Sequence, residues 1–220
     1  TFQKTYPGLA RTDRYTAEVQ DGRGRILVRH TEGSYDWLPA SEVHTGPQPP
    51  PRVPPPEART EGDVLLVGDA QEREGKLLLA AATYQDGLRR APRSFGLQKA
   101  AGRLAVSLKR FDEASRLLSA AEGLVSNDAE VQYALGCARL GLEDEAGAQR
   151  HWERALVSRA TRPAALLQLA RVQTRGGDPE GALARIQTAL REQPGMVRAG
   201  AFEVILLRRL GRRVQARERL

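Results

Sequence analysis

One pattern recurs with a fixed period of 34 residues from Glu61 to the C-terminus. It has three columns: the first is mostly glycine or alanine, the second is always alanine and the third is large. The second column lies twelve residues after the first and four before the third, without insertions. A period of 34 predicts stacked units that each contain a helix, a turn and a second helix. The columns are Gly68, Gly102, Gly136, Ala170 and Val204; Ala80, Ala114, Ala148, Ala182 and Ala216; and Tyr84, Leu118, Trp152, Ile186 and Leu220.

Helix boundaries follow from the residues between the columns. Pro163 and Pro179 suit the first turn of a helix, where a missing N–H costs nothing, and Gly75, Gly141 and Gly211 are predicted to end helices. Because one helix pair cannot bury its own apolar face, we predict a mainly α fold, an α-solenoid of four full pairs and a partial fifth. The predicted helices are 61–74 and 77–91, 95–108 and 111–125, 129–140 and 144–159, 163–174 and 179–192, and 197–210.

The columns have distinct expected roles. The small residues of the first column are expected to meet the alanines of the second, so that the two helices of a pair cross closely. The large residues of the third column are expected to fill the space between successive pairs. A bulky residue in the first two columns would therefore overpack the stack.

Residues 1–45 are predicted to contain a β element. Tyr15 to Val19 and Arg25 to Arg29 are predicted strands, joined by a turn at residues 21–24. An isolated hairpin is marginally stable in water, so we expect it to complete a larger sheet. Two arrangements are open: a β domain that extends beyond the N-terminus, or a small barrel with further strands at residues 35–38 and Val43.

Residues 46–60 contain the string GPQPPPRVPPP and are predicted to form an extended proline-rich linker. Thr1 is not a methionine, and the third column ends at Leu220 where the second helix of the fifth repeat has barely begun. Both observations indicate that the native chain continues beyond these residues.

Composition restricts the function classes. The net charge of +7 is typical of proteins that bind nucleic acid or an acidic surface. Residues 1–60 hold eight basic and seven acidic residues, which leaves 26 minus 20, or +6, for the repeats. This surplus consists of single arginines scattered among acids, which favours a solvated helical surface over nucleic-acid binding. No apolar segment is long enough for a membrane span, and a single cysteine gives no sign of an oxidising compartment, so a cytoplasmic location is expected.

The repeats resemble those of tetratricopeptide proteins over residues 61–220. A narrower resemblance rests on the strings GPQPPP, GDAQEREGKLLLAAATYQDGL, LQKAAGRLAVSLKRFDEA, VSNDAEVQYALGCARLGLEDEA and RAGAFEVILLRRLGRRVQA. They are similar to the C-terminal part of large bacterial proteins in which such repeats follow a galactose-mutarotase-like β-sandwich domain of unknown function, and this resemblance implies an association with carbohydrates. The resemblance implies that the hairpin at residues 15–29 is the edge of that β domain.

Tetratricopeptide arrays usually bind a protein or peptide in a concave groove, and this resemblance implies which places line it. These places are the second, fifth, ninth, twelfth and thirteenth residues of each repeat. The predicted partner-binding residues are Lys99, Arg103, Tyr133, Arg171, Arg175, Arg208 and Arg209, and the same places include Asp69, Glu72, Arg73, Glu130, Cys137 and Arg198. The groove becomes more basic toward the C-terminus, which suits an acidic segment; the alternative is a merely solvated surface.

The sequence gives little sign of catalysis. His30, His44 and His151 lack the spacing of a metal site, and no phosphate-binding glycine loop is present. Cys137 is predicted to be a small buried residue rather than a nucleophile. No cofactor, metal or catalytic residue is therefore predicted.

Three functions are compatible with these observations. The first is a non-catalytic scaffold that binds a protein or peptide in the groove. The second is an accessory or oligomerisation region of a bacterial carbohydrate-active or carbohydrate-binding protein whose active domain lies upstream. The third is a Tudor-like reader at residues 11–45, in which Tyr15, Tyr35 and Trp37 would form a cage for a methylated side chain.

Overall fold

A computed structural model describes residues 16–31 and 54–219. The chain divides into two compact units, Thr1–Arg52 and Val53–Leu220. In the first unit, β1 (Thr16–Gln20) pairs antiparallel with β2 (Ile26–Thr31). The Asp21 carboxylate closes the turn by accepting the backbone N–H groups of Arg23 and Arg25, both at 2.9 Å.

The predicted hairpin is therefore present, with each strand displaced by one or two residues. Tyr15, Tyr35, Trp37 and Val43 lie outside the described residues. The barrel, the larger β domain and the Tudor-like reader consequently stay predictions.

Over residues 54–219 the structure contains ten α-helices and one short 3-10 turn at Pro56–Ala58. Each repeat contributes a first helix and a second helix, and the fifth pair ends with a helix of six residues. The α-solenoid predicted from the 34-residue period is thus confirmed. The helices are α1 (Glu61–Arg73), α2 (Leu77–Arg90), α3 (Phe95–Ser107), α4 (Phe111–Leu124), α5 (Ala129–Gly141), α6 (Glu145–Ala155), α7 (Arg162–Arg175), α8 (Pro179–Glu192), α9 (Val197–Arg209) and α10 (Arg213–Glu218).

The end of the predicted linker differs from an extended spacer. Residues 56–58 form the 3-10 turn, and Arg59 donates from Nε to the carbonyl oxygen of Pro54 at 2.9 Å. Arg90 of α2 in turn donates to the carbonyl oxygen of Arg59 at 3.0 Å. These bonds attach the segment to the first helix pair.

Polar side chains cap several helix starts, as expected for orphan N–H groups in the first turn. Thr60 and Asp63 form a reciprocal capping box at α1, and Ser94 and Asp128 cap α3 and α5. The end of α6 was mispredicted, since the helix stops at Ala155 and not at residue 159. There the Thr161 hydroxyl donates to the Ala155 carbonyl oxygen at 2.7 Å and so closes the helix end.

The turns inside the repeats form a further column with the same period. Gly75, Lys109, Glu143, Gly177 and Gly211 all have positive φ, between 59° and 89°. After each of them, a backbone N–H bonds to a carbonyl five residues earlier, as Arg110 N does to Ala105 O at 2.9 Å. This is the Schellman arrangement, which satisfies carbonyls at a helix C-terminus. The turn residue of the third repeat is therefore Glu143, not the predicted Gly141, which is the last residue of α5.

The core confirms the columns except for Leu220, which lies outside the described residues, and shows a further contact between them. The second-column alanines are buried. A Cβ atom added at Gly68, Gly102 or Gly136 would overlap the large third-column residue of the same pair, which is Tyr84, Leu118 or Trp152. The large residues therefore fill the space that the glycines leave within their own pair. As predicted, Tyr84 and Leu118 also belong to clusters that include the first helix of the next pair.

Candidate binding groove

The first helices of neighbouring repeats lie side by side, with α1 against α3 and α3 against α5. Two open cavities follow this row. One, of about 520 Å³, is lined by Asp69, Glu72, Arg73 and Arg103. The other, of about 350 Å³, is lined by Arg103, Val106, Ser107, Glu130, Tyr133, Ala134, Cys137 and Thr161. Because Arg103 borders both cavities, they form one continuous surface, which we call the groove.

The N-terminal part of the groove contains a fixed pair of carboxylates. The hydroxyl of the buried Tyr84 lies 2.8 Å from both Asp69 Oδ1 and Glu72 Oε1. Burial, reinforced by these carboxylates, raises the pKa of Tyr84 far above its ordinary value, so the phenol stays a neutral donor. Arg103 Nη2 lies 3.1 Å from Glu72 Oε1 and so offsets part of the negative charge.

Lys99 connects two repeats instead of facing the groove as an unpaired cation. Its Nζ lies 2.9 Å from Asp128 Oδ2 and 2.7 Å from Glu130 Oε2, and 5.7 Å from the centre of the Phe95 ring. Burial opposes the charge, but the bonds to Glu130 and Asp128 outweigh it and raise the pKa of Lys99. Its positive charge is therefore already matched by protein acids.

The middle of the groove is mostly apolar and centres on Tyr133 and Cys137. Both side chains are half-buried, and both pack on the cluster around Trp152. Trp152 passes beside Gly136 and donates from Nε1 to the Tyr133 carbonyl oxygen at 3.2 Å. Burial raises the pKa of the Cys137 thiol, so it is protonated at neutral pH and a poor nucleophile.

The expected continuation of the groove along repeats four and five is basic, although its arginines line neither cavity. Arg171 holds the place in repeat four that Arg103 holds in repeat two, and its guanidinium carbon lies 6.0 Å from the centre of the Phe202 ring. Arg175 instead donates from Nε to Glu145 Oε2 at 3.0 Å, at the start of α6. Three exposed arginines make no ion pair with any residue in the described part of the chain: Arg198, Arg208 and Arg209.

The predicted residues thus have different surroundings. Arg103 and Tyr133 line the groove directly, and Arg171 follows along the row of first helices. Sequence reasoning missed the Tyr84 hydroxyl. The sequence indicated it only in that Tyr84 carries a hydroxyl group in a column where the other repeats have Leu118, Trp152 and Ile186.

The described residues contain no arrangement suited to catalysis with a metal. No group of three or more His, Cys, Asp or Glu side chains in that part of the chain can hold an ion. His151 bonds through Nδ1 to Gln132 Oε1 at 2.8 Å, and burial lowers its pKa. None of the described helices is long and apolar enough to cross a membrane.

Known structures share this arrangement of helices. The crystal structure of MamA has 20% sequence identity and a TM-score of 0.58, with 72% of this chain and 88% of that chain covered. PilF of Pseudomonas aeruginosa has 17% identity and a TM-score of 0.65, with 72% of each chain covered. YrrB, described as a TPR protein with an unusual peptide-binding site, has 19% identity and a TM-score of 0.55, with 71% and 81% covered.

No protein-family model matches the sequence, and no curated protein matches it. The similarity to solved structures is too distant in sequence to show more than architecture. With the 34-residue columns and the paired helices, it shows that residues 61–219 have the tetratricopeptide-repeat fold.

Proposed function

We propose that this chain is a protein-interaction scaffold that binds an acidic protein segment in the groove. One observation carries the proposal. At the groove-lining places, repeats one to three have three acids and three bases, whereas repeats four and five have five arginines and no acid. Of those five, only Arg175 forms an ion pair with a described residue. Such a surface attracts an acidic partner and speeds its encounter.

A protein segment fits the groove better than nucleic acid does. The groove contains a mostly apolar pocket and, in repeat one, the carboxylates of Asp69 and Glu72, which would repel a phosphate backbone. The structural similarity to YrrB, whose description names a peptide-binding site, supports the same choice.

The test measures binding of a fluorescent peptide whose aspartates and glutamates are separated by glycine and serine. Reversing the charge with Arg171→Glu, Arg198→Glu and Arg208→Glu together is expected to weaken binding at least about tenfold, or ~1.4 kcal/mol. The binding is also expected to weaken as salt is added, because the attraction is screened. Fluorescence anisotropy gives the dissociation constants.

A matched control reverses Arg116, Arg150 and Arg191, which are exposed on α4, α6 and α8 and pair with no acid in the described residues. This control is expected to leave the affinity nearly unchanged. Equal weakening in both variants would show that net charge, and not the groove, attracts the peptide. Tighter binding of a DNA duplex than of the peptide would assign the basic surface to nucleic acid instead.

The narrower expectation, a carbohydrate-linked protein with a galactose-mutarotase-like domain, is supported by neither the structural similarities nor a family model and stays a prediction. The expected cytoplasmic location also stays a prediction. Sequencing the gene upstream of Thr1 tests the first of them directly.

A further inference from the structure

The second cavity of the groove has the dimensions of a pocket for one side chain. Its volume of about 350 Å³ lies at the small end of the ~300–1,000 Å³ found for ligand pockets. Ala134, Val106 and the faces of Tyr133 and Cys137 supply a mostly apolar lining. An aromatic wall of this kind, surrounded by polar groups, is typical of sites where a few side chains supply most of the binding energy.

One cationic group lines this pocket and a second lies near it. Arg103 lines the pocket itself and reaches toward Glu72. Burial raises the pKa of Tyr133 and the nearby positive charge of Arg171 opposes this rise, and Arg171 Nη1 lies 3.5 Å from Gln168 Oε1. A ligand side chain in the pocket would therefore bring its neighbouring residues next to guanidinium groups.

We propose that the pocket over Tyr133 and Cys137 receives one large apolar side chain of an acidic protein segment. This inference rests on the proposed function and adds the apolar anchor to it. The anchor supplies the burial of apolar surface, and the flanking acids supply the charge complementarity. A purely acidic segment would leave the pocket filled with water and gain only the screened attraction.

The test compares two labelled peptides that differ at one position. Both carry acidic residues on each side of a central residue, which is phenylalanine in one peptide and alanine in the other. The acids can therefore reach the basic side chains whichever way the peptide chain runs along the groove. The phenylalanine peptide is expected to bind at least about tenfold more tightly. Cys137 is the only cysteine of the chain, so a thiol reagent reports on this pocket alone. The phenylalanine peptide is expected to slow the labelling of Cys137, and the alanine peptide much less.

Two variants separate the pocket from the rest of the surface. Ser107 is an exposed residue of the pocket at the end of α3, so Ser107→Trp is expected to fill the pocket without disturbing the core. It should abolish the advantage of phenylalanine and leave the alanine peptide's affinity unchanged. Ala120→Trp adds the same side chain at an exposed place on α4 and is expected to change neither affinity.

The outcomes distinguish the two proposals. Equal affinities for both peptides, or tight binding of the phenylalanine peptide without protection of Cys137, would overturn the anchor and leave the acidic groove standing. If neither peptide binds, the proposed function is wrong and the anchor fails with it.

Discussion

At the scale of single residues, Glu203 breaks the pattern of the repeats. Its side chain is 2% exposed, at a place where repeats two, three and four have Ala101, Leu135 and Leu169. Its carboxylate lies 3.3 Å from Arg219 Nε and 3.4 Å from Gln187 Nε2. A buried carboxylate loses its hydration, and one partly exposed arginine recovers only part of that loss.

We expect Glu203→Leu to leave the stability unchanged or to raise it, because an apolar residue restores the pattern of the other repeats. Arg219→Ala should instead destabilise the fold by about 1–3 kcal/mol, because it leaves the buried carboxylate without its cation. Thermal unfolding followed by circular dichroism compares the two. A loss of stability in Glu203→Leu as large as in Arg219→Ala would contradict this account.

At the scale of the elements, the five turns share one backbone conformation but not one residue type. Glycine adopts a positive φ readily, and it occupies three of the five places; Lys109 and Glu143 have a φ of 59° and 63° without that freedom. A residue with a side chain pays about 1–2 kcal/mol for this conformation. Lys109 and Glu143 adopt this conformation because the packed helices on each side fix the path of the backbone between them.

Glu143→Gly is accordingly expected to stabilise the protein by about 0.5–1 kcal/mol, after subtracting the greater freedom of glycine in the unfolded chain. The matched control, Ala120→Gly at an exposed place in the interior of α4, should destabilise by a similar amount. Chemical denaturation of the two variants gives both values. Destabilisation by Glu143→Gly would show that its side chain, and not its backbone, matters at this turn.

At the scale of the whole molecule, the apolar core is a succession of clusters and not a single centre. One cluster joins α1 to α3 through Val64, Tyr84 and Leu97, and another joins α7 to α10 through Ile186 and Leu206. Ion pairs between neighbouring repeats, such as Arg154 with Glu122 and Arg212 with Glu180, are mostly exposed and contribute little each. The stability is therefore a sum of neighbouring interfaces.

A substitution that creates a cavity near one end of the solenoid should therefore destabilise mainly the neighbouring helices. Ile186→Ala is expected to cost about 2–5 kcal/mol and to speed amide hydrogen exchange in α8 and α9 while α1 and α2 keep their protection. Leu97→Ala, which removes an equally buried side chain from the first cluster, should produce the opposite pattern. Equal acceleration along the whole solenoid in both variants would indicate a single cooperative unit.

The sequence by itself determined the repeats, the helices and the buried columns. These follow from a strict period, because burial of Ala80 or Ala148 depends only on the helical face and on the presence of a neighbouring repeat. The turn column has glycine in three of its five places, but in the third repeat the glycine is Gly141, two residues before the turn residue Glu143. Helix ends such as that of α6 were less accurate, because a single side chain, Thr161, decides them.

The tertiary structure alone decided which of the predicted groove residues already form ion pairs within the protein. Lys99 is matched by Asp128 and Glu130, and Arg175 by Glu145, whereas no described acid pairs with Arg198. Each of these pairs joins residues about one repeat apart, so it depends on how neighbouring repeats are offset and on how far each side chain reaches. Within one repeat, the buried Tyr84 hydroxyl reaches Asp69 and Glu72 because its ring packs against Gly68. The repeat pattern in the sequence shows which residue types recur, but it does not show which charged side chains form ion pairs.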